Sequence, residues 1–436
     1  MKLLFVTNGF PPRGRFGTEF YSRELVRGLL ARGHDVLVLH PLRDGERPRY
    51  TLERVEEDGV SLALLSNAGD PRKGFRASYR DERVEECFAE LLAQERPDVV
   101  HALYLGWGLS YGLPRVATQA GVPCLATLTD YGAFCHRGQM FDHRLERCEG
   151  PHPPAICARC IREPAPFDLP PRRLAWKRMA VRLAAALGGG GRVVMPADVA
   201  AREEAVAEAI EHLAHCIAPT ASLARVAERG GVPAEKLSVL PYAFDTSAYD
   251  EVARTEPDRE GPFRFGFFGQ LAPHKGVAVL FEALRRLARE MPTDAYELVL
   301  HGAPSVGRHG AFGDALLADG LPPGARFGSP FGPQEAPRVL SALGALVVPS
   351  LWDENAPLAC LQARAAGVPL IASDVSGIAE IVGPEEGALF PPGDAAALAK
   401  LLEASVRSGP HRTGSGLPVS YEAHLDRVEA LYRSVR

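Results

Sequence analysis

The 436-residue chain lacks the features that mark disulfide-rich, membrane-spanning and nucleic-acid-binding proteins. Its eight cysteines are too few for a disulfide scaffold, and it contains no unbroken apolar run long enough to span a bilayer. Acidic residues (54) outnumber basic residues (49), and the resulting net charge of −5 argues against a general nucleic-acid binder. No repeat or low-complexity tract carries the 43 glycines and 37 prolines. The composition is therefore that of a globular chain with many turns, long enough for two or three domains.

A signal-peptide core is also missing at the N-terminus. The first apolar run, residues 3–6, is short and ends in a polar turn. We therefore expect a cytoplasmic, reducing compartment, in which thiols are reduced or bound to metal. Peripheral contact with the inner face of the membrane stays open as an addition to this expectation.

Short apolar runs alternate with helical patterns along most of the chain, which predicts parallel sheets covered by helices. In the first half, strands are predicted at 3–6, 36–39, 98–101, 123–128, 216–219 and 237–241. In the second half, they are predicted at 265–268, 298–301, 345–349, 369–372 and 388–390. The predicted fold class is α/β, with two Rossmann-like, doubly wound parallel-sheet domains facing each other across a cleft. Ligands of such sheets bind at the carboxyl ends of the strands.

The same patterns divide the chain into parts. Residues 246–262 are predicted as a linker, because most of this segment is charged and polar without an apolar period. This leaves one domain at 1–245 and a second at 263–416. Residues 417–436 form one amphipathic helix, which we expect to pack back on the first domain.

The most informative stretch is WDENAPLACLQA at 352–363, which follows a predicted strand. Pro357 occupies the first turn of the helix that begins there. A helix N-terminus facing a cleft favours phosphate, because its N–H groups are free and its dipole attracts anions. Gln362 lies two turns beyond Glu354 and could contact a second part of the same ligand. An ordinary capped helix is the alternative interpretation.

Two other loops have a similar character. GQLAPHKG at 269–276 ends a predicted strand, and there Gly269 would let a ligand approach while Lys275 meets phosphate as a point charge. A capped helix with one surface lysine explains this motif equally well. GRFGTE at 14–19 is a Gly-rich turn at a helix start, and by itself it is a weak signal because it is not GxGxxG.

Together with PP at 11–12, RGHDV at 32–36, PDVVH at 97–101 and LPYAFD at 240–245, these segments resemble the retaining, B-type (GT-B) glycosyltransferases of family four. The resemblance covers nearly the whole chain and is most specific at 354–366. It implies a hexosyltransferase-type enzyme that moves a sugar from a nucleotide-sugar donor to an acceptor hydroxyl, with retention of anomeric configuration and no catalytic metal. The implied setting is polysaccharide or glycoconjugate biosynthesis. In this family pattern, the first domain is the acceptor side and the second binds the nucleotide sugar.

The resemblance also implies roles for single residues. Gly17 lets the donor diphosphate approach, Lys275 neutralises the leaving diphosphate, and Glu354 hydrogen-bonds hydroxyls of the donor sugar. The catalytic residues implied are Glu354, Lys275 and Asp130. The implied donor-binding set is Gly17, Gly269, Gln270, Lys275, Glu354, Asn355, Ala356, Pro357, Leu358 and Gln362.

The chain departs from the family pattern at the donor side. Gln270 stands where most of the family has an Arg that aids the lysine, and Gln362 stands where a second acidic residue grips the ribose. An amide is uncharged, so we expect weaker ribose binding or an altered nucleotide preference. The donor base is not predicted.

A further departure lies at the acceptor side, where the implied residues are His101, Thr129 and Asp130. Thr129 replaces the family's His, whereas Asp130 is retained. Asp130 could orient an acceptor hydroxyl or assist its proton transfer. A strand-end Asp that caps the next turn is the alternative. These departures also keep open a non-catalytic nucleotide-sugar-binding protein, or a related enzyme with a non-hydroxyl acceptor.

Four cysteines cluster in an insert after Asp130, with the spacing C-x12-C-x8-C-x2-C. They are Cys135, Cys148, Cys157 and Cys160. Four thiols with one CxxC pair favour a structural tetrahedral zinc, and some glycosyltransferases of the family carry a similar insert. Two disulfides or four free thiols are the alternatives. Spare ligand candidates are His136, His143 and His152, and the scattered cysteines that look like buried hydrophobes are Cys87, Cys124, Cys216 and Cys360.

Residues 172–183 form a basic amphipathic stretch. It could touch a membrane surface or a polyanionic or lipid-linked acceptor. The sequence favours the simpler interpretation, a solvated helix packed on the first domain. The partners expected overall are a nucleotide sugar and a sugar, lipid-linked or small-molecule acceptor, with no nucleic acid.

Overall fold

The computed structural model describes residues 1–14, 17–43, 47–67, 71–169, 171–188, 193–257, 260–302 and 310–436. Arg15 and Phe16, in the middle of the Gly-rich turn at 14–19, lie outside the described residues. Among the described helices, none combines the length and the apolar character that a bilayer crossing requires.

The N-terminal sheet contains eight strands in the described residues. They are β1 (Lys2–Val6), β2 (Asp35–Leu42), β3 (Leu52–Glu57), β4 (Val60–Ser66), β5 (Val99–Ala102), β6 (Cys124–Thr127), β7 (His215–Ala218) and β8 (Leu237–Val239). Their order is β3-β4-β2-β1-β5-β6-β7-β8, and every pair is parallel except the antiparallel β3–β4 pair at one edge. The helices of this half are α1 (Gly17–Ala31), α2 (Glu82–Glu95), α3 (Leu113–Gln119), α4 (Pro154–Arg162), α5 (Pro171–Ala186), α6 (Pro196–His212), α7 (Ala221–Arg229) and α8 (Ser247–Arg254).

The C-terminal sheet contains six described strands, all parallel, in the order β11-β10-β9-β12-β13-β14. They are β9 (Phe263–Phe268), β10 (Tyr296–His301), β11 (Ala325–Phe327), β12 (Ala345–Val348), β13 (Leu370–Ser373) and β14 (Gly387–Phe390). The helices are α9 (Val277–Glu290), α10 (Gly310–Leu317), α11 (Ala336–Ser341), α12 (Leu358–Ala365), α13 (Ser376–Ala379), α14 (Ala395–Ser408) and α15 (Tyr421–Val435). The predicted fold class, two α/β domains each built on a mainly parallel sheet, is confirmed.

Continuous apolar strands form these sheets because both of their faces are covered. In β1, Leu3 and Phe5 pack in one core, while Leu4 and Val6 pack in another on the opposite face of the sheet. All four side chains are fully buried, which is the arrangement that a central parallel strand requires. The first of these cores continues into the C-terminal half, where it includes Leu361 of α12.

The segment 246–262 departs from the irregular linker that the sequence predicts, because residues 247–254 form α8. Tyr249 and Val252, three residues apart on one face of this helix, are buried in the core shared by the two halves. Burial of these two side chains gives the helix a packed face, which the high charge of the segment conceals in the sequence.

The last helix, α15, packs on the N-terminal half. Arg32 donates to Asp426 at 2.8 Å, and His34 lies 3.1 Å from Glu429. Deeper in the contact, the Tyr432 hydroxyl lies 2.7 Å from Nδ1 of His101, which is fully buried. The chain's last helix is therefore joined to its first sheet by both surface ion pairs and a buried hydrogen bond.

We expect Tyr432→Phe to lower the free energy of unfolding by ~1–3 kcal/mol, because it leaves a buried histidine nitrogen without its partner. Denaturant unfolding measures the change. Tyr296→Phe is a matched control, since the buried Tyr296 hydroxyl has no hydrogen-bond partner among the described residues. Equal stability losses in the two variants would contradict the importance of the Tyr432–His101 bond.

Candidate functional site

The loop after β12 holds the Glu354 carboxylate, which is buried. Its Oε1 atom accepts hydrogen bonds from Ser350 Oγ at 2.7 Å, Trp352 Nε1 at 2.8 Å and Lys275 Nζ at 2.8 Å. No described residue donates to Oε2. One oxygen is thus fixed by three donors, and the other stays available to a ligand.

Lys275 reaches this carboxylate from the loop that follows β9, the strand next to β12 in the sheet. It ends a short 3₁₀ turn, Pro273–Lys275, and its ammonium also lies 4.9 Å from the centre of the Trp352 ring. Gly276 follows with φ of 69°, and a Cβ there would lie 1.7 Å from the Pro349 carbonyl oxygen. Only glycine permits this approach, so it is what brings Lys275 to the loop of Glu354.

A second glycine, Gly377, contacts the backbone of the Glu354 loop. The Gly377 N–H donates to the Glu354 carbonyl at 3.0 Å. A Cβ on Gly377 would lie 2.1 Å from that carbonyl oxygen and 1.8 Å from the carbonyl oxygen of Asn355. The loop therefore needs glycine at position 377 to keep its place.

Charge pairing controls the ionisation of Glu354. Burial alone would raise the pKa of this carboxyl, but the Lys275 ammonium and the Ser350 and Trp352 donors outweigh burial and hold the pKa below its usual range. Glu354 is therefore a carboxylate at neutral pH, and its free oxygen is a hydrogen-bond acceptor.

A cavity of about 360 Å³ lies between the two halves of the molecule at this point. Its wall from the C-terminal half includes Lys275, Glu354, Asn355, Ala356, Pro357 and Leu358, and its wall from the N-terminal half includes Gly17, Thr18, Thr129, Asp130, Tyr131 and Tyr242. The structure thus brings most of the residues singled out in the sequence to one cleft. It lies at the carboxyl ends of β6 and β12, where ligands of such sheets bind.

Asp130 lies on the N-terminal wall of the cavity, and its Oδ1 accepts from the Gly132 N–H at 2.7 Å. Burial raises the pKa of Asp130, against the opposing effects of that N–H and of Arg202. Its neighbour Thr129 donates its hydroxyl to the Leu103 carbonyl at 2.8 Å. Asp130 therefore combines the turn-capping contact with a place in the cleft, whereas the Thr129 hydroxyl is used within its own domain.

Side chains near Glu354 also join the two halves of the molecule. The Tyr131 hydroxyl donates to the Glu354 carbonyl at 3.3 Å, and Asn355 Nδ2 donates to the Leu128 carbonyl at 3.2 Å. Asn355 Oδ1 accepts from the Thr220 hydroxyl at 3.3 Å. Asn355 is thus held by two bonds to the N-terminal half, and its side chain is used in this contact.

Two charged contacts outside the cavity add to the junction. Arg147, in the Cys-rich insert, forms two hydrogen bonds to Asp353, at 2.5 and 3.3 Å. Glu380 accepts from the Ala221 and Ser222 N–H groups at 2.6 and 2.7 Å, at the N-terminus of α7. Neither contact leaves a signal in the sequence, because the partners are 206 and about 159 residues apart.

Four predicted site residues are not at the cleft wall, and two of them are buried elsewhere in the molecule. His101, expected at the acceptor side, is fully buried, and its Nε2 lies 2.8 Å from the Thr127 hydroxyl while Tyr432 occupies Nδ1. Burial lowers the pKa of His101 to about 3, so the ring is neutral. The expectation that His101 faces the acceptor is wrong, because its strand position points into the core.

Gln362 is the second. Its Nε2 donates to the Tyr249 hydroxyl at 3.0 Å, and the side chain is buried outside the wall of the Glu354 cavity. Gln270 is exposed, and neither it nor Gly269 lines that cavity. The donor-binding set predicted from sequence is therefore brought together only in part.

The four clustered cysteines of the insert line a separate cavity, which also includes His136, His143 and His152. No pair of them is joined by a disulfide. Burial raises the pKa of the Cys148 and Cys157 thiols and raises that of Cys160 to about 11. The described residues contain no group of three or more His, Cys, Asp or Glu side chains placed to hold a metal ion. The geometry therefore does not support the zinc site that the spacing predicts.

We expect Lys275→Met to lower the free energy of unfolding at pH 7 by ~1.5–3 kcal/mol, because it leaves the buried Glu354 carboxylate without its cation. The folded-state pKa of Glu354 is depressed, so its stabilisation is present above the ordinary carboxyl pKa of about 4.3 and is lost as the pH falls through the folded-state value. Urea unfolding of both proteins should accordingly show the difference shrinking below about pH 4.

The exposed Lys400, on α14, provides a matched control, and Lys400→Met should leave stability unchanged. Lys275→Arg should recover part of the loss, since it retains the charge. A Lys275→Met protein as stable as the wild type at pH 7 would show that the ion pair contributes nothing to folding.

Two family models match the chain. The "Glycosyl transferase 4-like domain" matches residues 16–243 and "Glycosyl transferases group 1" matches residues 262–407. Among curated proteins, the amylovoran biosynthesis glycosyltransferase AmsK of Erwinia amylovora is 30% identical over 183 residues, which is 39% of this chain and 42% of that protein. The D-inositol 3-phosphate glycosyltransferase of Nocardia farcinica is 29% identical over 175 residues, 38% of this chain and 39% of that protein. The matches thus span about two fifths of these relatives' length.

Solved structures share the fold along the whole chain. Sucrose-phosphate synthase from Thermosynechococcus elongatus has a TM-score of 0.64 at 17% identity, covering 100% of this chain and 98% of that one. Anabaena HepE in complex with UDP has a TM-score of 0.58 at 16% identity, covering 100% of this chain and 95% of that one. Because the glycosyl transferase 4-like model alone matches more than half of the residues, the chain belongs to the group 1, family-4-like glycosyltransferases of GT-B fold.

Proposed function

We propose that this protein transfers a sugar from a nucleotide-sugar donor to an acceptor hydroxyl, with retention of anomeric configuration and without a metal at the catalytic centre. The observation that carries the proposal is the Glu354 carboxylate at the wall of the interdomain cavity, with one oxygen held by three donors and the other free. A fixed, ionised acceptor of this kind suits hydroxyls of a donor sugar.

Lys275 is proposed to stabilise the leaving diphosphate. Its ammonium lies at the cavity wall and uses one of its three N–H donors on Glu354, so its other donors can meet the negative charge that develops on the diphosphate. The N-terminus of α12 lies beside it, with Ala356, Pro357 and Leu358 at the cavity. Free N–H groups there would add hydrogen bonds to phosphate or sugar oxygens. A Cβ on Gly17 would lie 3.5 Å from the Leu358 side chain. Because glycine has no Cβ, it leaves room for the diphosphate between the domains.

Asp130 is proposed to act on the acceptor. Its raised pKa and its position on the opposite wall of the cavity suit a group that orients the attacking hydroxyl or takes its proton. In this assignment, 1–245 is the acceptor-side domain, 246–262 the linker, 263–416 the nucleotide-sugar domain and 417–436 the terminal helix. Solved neighbours in complex with UDP make a uridine donor the first to test.

A non-catalytic nucleotide-sugar-binding protein is the second candidate. It is favoured by two side chains at positions where the family pattern has a His and an acid: Thr129 donates to Leu103, and Gln362 donates to Tyr249. Such a protein would bind a donor and release no nucleotide from it.

The test begins with thermal shifts for UDP-, GDP-, ADP- and TDP-sugars, and it continues with nucleotide release from whichever donor stabilises the protein. We expect Glu354→Ala and Lys275→Ala each to reduce release by ~100-fold or more, because each removes a charge that the transition state uses. Glu282→Ala is the matched control, since Glu282 forms an exposed ion pair with Arg286 away from the cleft. Binding without release, for every acceptor offered, would favour the second candidate.

A structural zinc in the Cys-rich insert is a separate proposal, and it rests on the cysteine spacing alone. Metal analysis of the purified protein tests it, and the spacing predicts close to one zinc per chain, lost on replacing Cys157 and Cys160 by serine. Both cysteines lie on helix α4. Cys87→Ser is the matched control, because Cys87 also lies on a helix but outside the insert. Negligible zinc in a folded protein, with four reactive thiols, would show that the insert holds no metal.

A further inference from the structure

Helix α5 exposes large apolar side chains that a packed surface helix would bury. Trp176, Met179 and Leu183 are 66%, 62% and 61% exposed, and Leu187, one residue beyond the helix, is 78% exposed. Leu187 continues the helical turn, because its N–H donates to the Leu183 carbonyl at 3.0 Å. Their spacings of three, four and four residues place these side chains in one stripe on the helix surface.

The opposite side of α5 is the one that packs. Val181 is 6% exposed, and it lies about half a turn away from the stripe. Arg178 donates to the Pro164 carbonyl at 3.1 Å, and Arg182 donates to both oxygens of Glu163 at 2.9 Å. These contacts fix the helix on the molecule with its apolar stripe directed to solvent.

The charge of α5 is of one sign. The helix contains five basic residues and no acidic residue, although the chain as a whole has a net charge of −5. Arg172, Arg173 and Lys177 are exposed and have no ion-pair partner among the described residues. These three cations lie between and beside the side chains of the stripe. Any partner that takes up the apolar stripe therefore also meets three positive charges.

The segment before α5 meets the C-terminal half of the molecule. The Phe167 ring packs edge-on against Phe312 of α10, with 5.2 Å between ring centres. Helix α5 therefore begins close to the junction between the two halves, on the side of the Cys-rich insert.

We propose that α5 docks the protein on an anionic lipid bilayer. A bilayer interface takes large apolar side chains into its acyl boundary and holds flanking Lys and Arg at the level of its anionic headgroups. An otherwise acidic protein would be repelled by such a surface except through a segment of this charge. A second copy of the chain would bring the same cations together, so the charge argues against α5 pairing with itself.

Combined with the proposed function, on which this extension alone rests, docking through α5 would bring the junction of the two halves toward the membrane surface. The acceptor class that this arrangement suits is a lipid-linked hydroxyl compound. Vesicle binding itself needs neither donor nor turnover, so its failure and the failure of the glycosyltransferase proposal are distinguishable.

The experiment is co-sedimentation with phosphatidylcholine vesicles, with and without phosphatidylglycerol. We expect binding to the anionic vesicles only, weakened by added salt and accompanied by a blue shift of Trp176 fluorescence. Trp176→Ser combined with Leu183→Ser should weaken binding by about tenfold or more, because it removes most of the apolar surface that would enter the interface. Replacing Arg172, Arg173 and Lys177 by Glu should abolish binding to anionic vesicles.

Trp107→Ser is the matched control, because Trp107 is 53% exposed and lies outside α5. It should bind vesicles as the wild type does. Equal binding to neutral and anionic vesicles, or unchanged binding by both α5 variants, would overturn the proposal. A wild-type protein that does not bind vesicles would also overturn the proposal. If its light-scattering mass then falls to that of one chain on the Trp176 and Leu183 changes, a second copy of the chain covers the stripe.

Discussion

The candidate site depends on one ion pair, between Lys275 and Glu354. A buried carboxylate is tolerated only when a cation and hydrogen-bond donors compensate for its lost hydration. Here the two partners come from loops after different strands, β9 and β12, so the pair fixes the relative position of both loops. The two glycines that permit this, Gly276 and Gly377, have no room for a Cβ. The pair thus determines the backbone around the cavity as well as its charge.

The same loop is held from the other half of the molecule. Tyr131 bonds the Glu354 carbonyl, Asn355 bonds two groups beyond the cleft, and Arg147 of the insert bonds Asp353. The position of Glu354 therefore depends on how the two domains meet. The Cys-rich insert contacts this loop through Arg147, so the packing of the insert also supports the loop that carries the carboxylate.

Much of the fold follows from local pattern, because parallel strands buried on both faces are short apolar runs. Such runs predict six of the eight described N-terminal strands and five of the six C-terminal ones, but they miss β3, β4 and β11. Lys275 and Glu354 each follow such a run, and the resemblance to the family implies their roles. Pairings between distant segments leave no local signal. Gln362 is hydrogen-bonded to Tyr249, which lies in helix α8, and the charge of that segment conceals the helix in the sequence. His101 is hydrogen-bonded to Tyr432, 331 residues away. No local pattern predicts either contact, so the sequence assigns both residues to the cleft.

Among the described residues, two carboxyl groups line the cavity, and the protein shifts their pKa values in opposite directions. Glu354 has a cation and two neutral donors, so its pKa is lowered and it stays ionised. Asp130 has one backbone N–H and a more distant Arg202, so burial prevails and its pKa is raised. Carboxyl groups separated in this way suit different tasks. The ionised Glu354 suits fixed hydrogen bonds to a sugar, whereas Asp130, whose pKa is raised by burial, suits exchange of a proton with an acceptor hydroxyl. The two walls of the cleft thus differ in their electrostatics, as the proposed division into donor and acceptor sides requires.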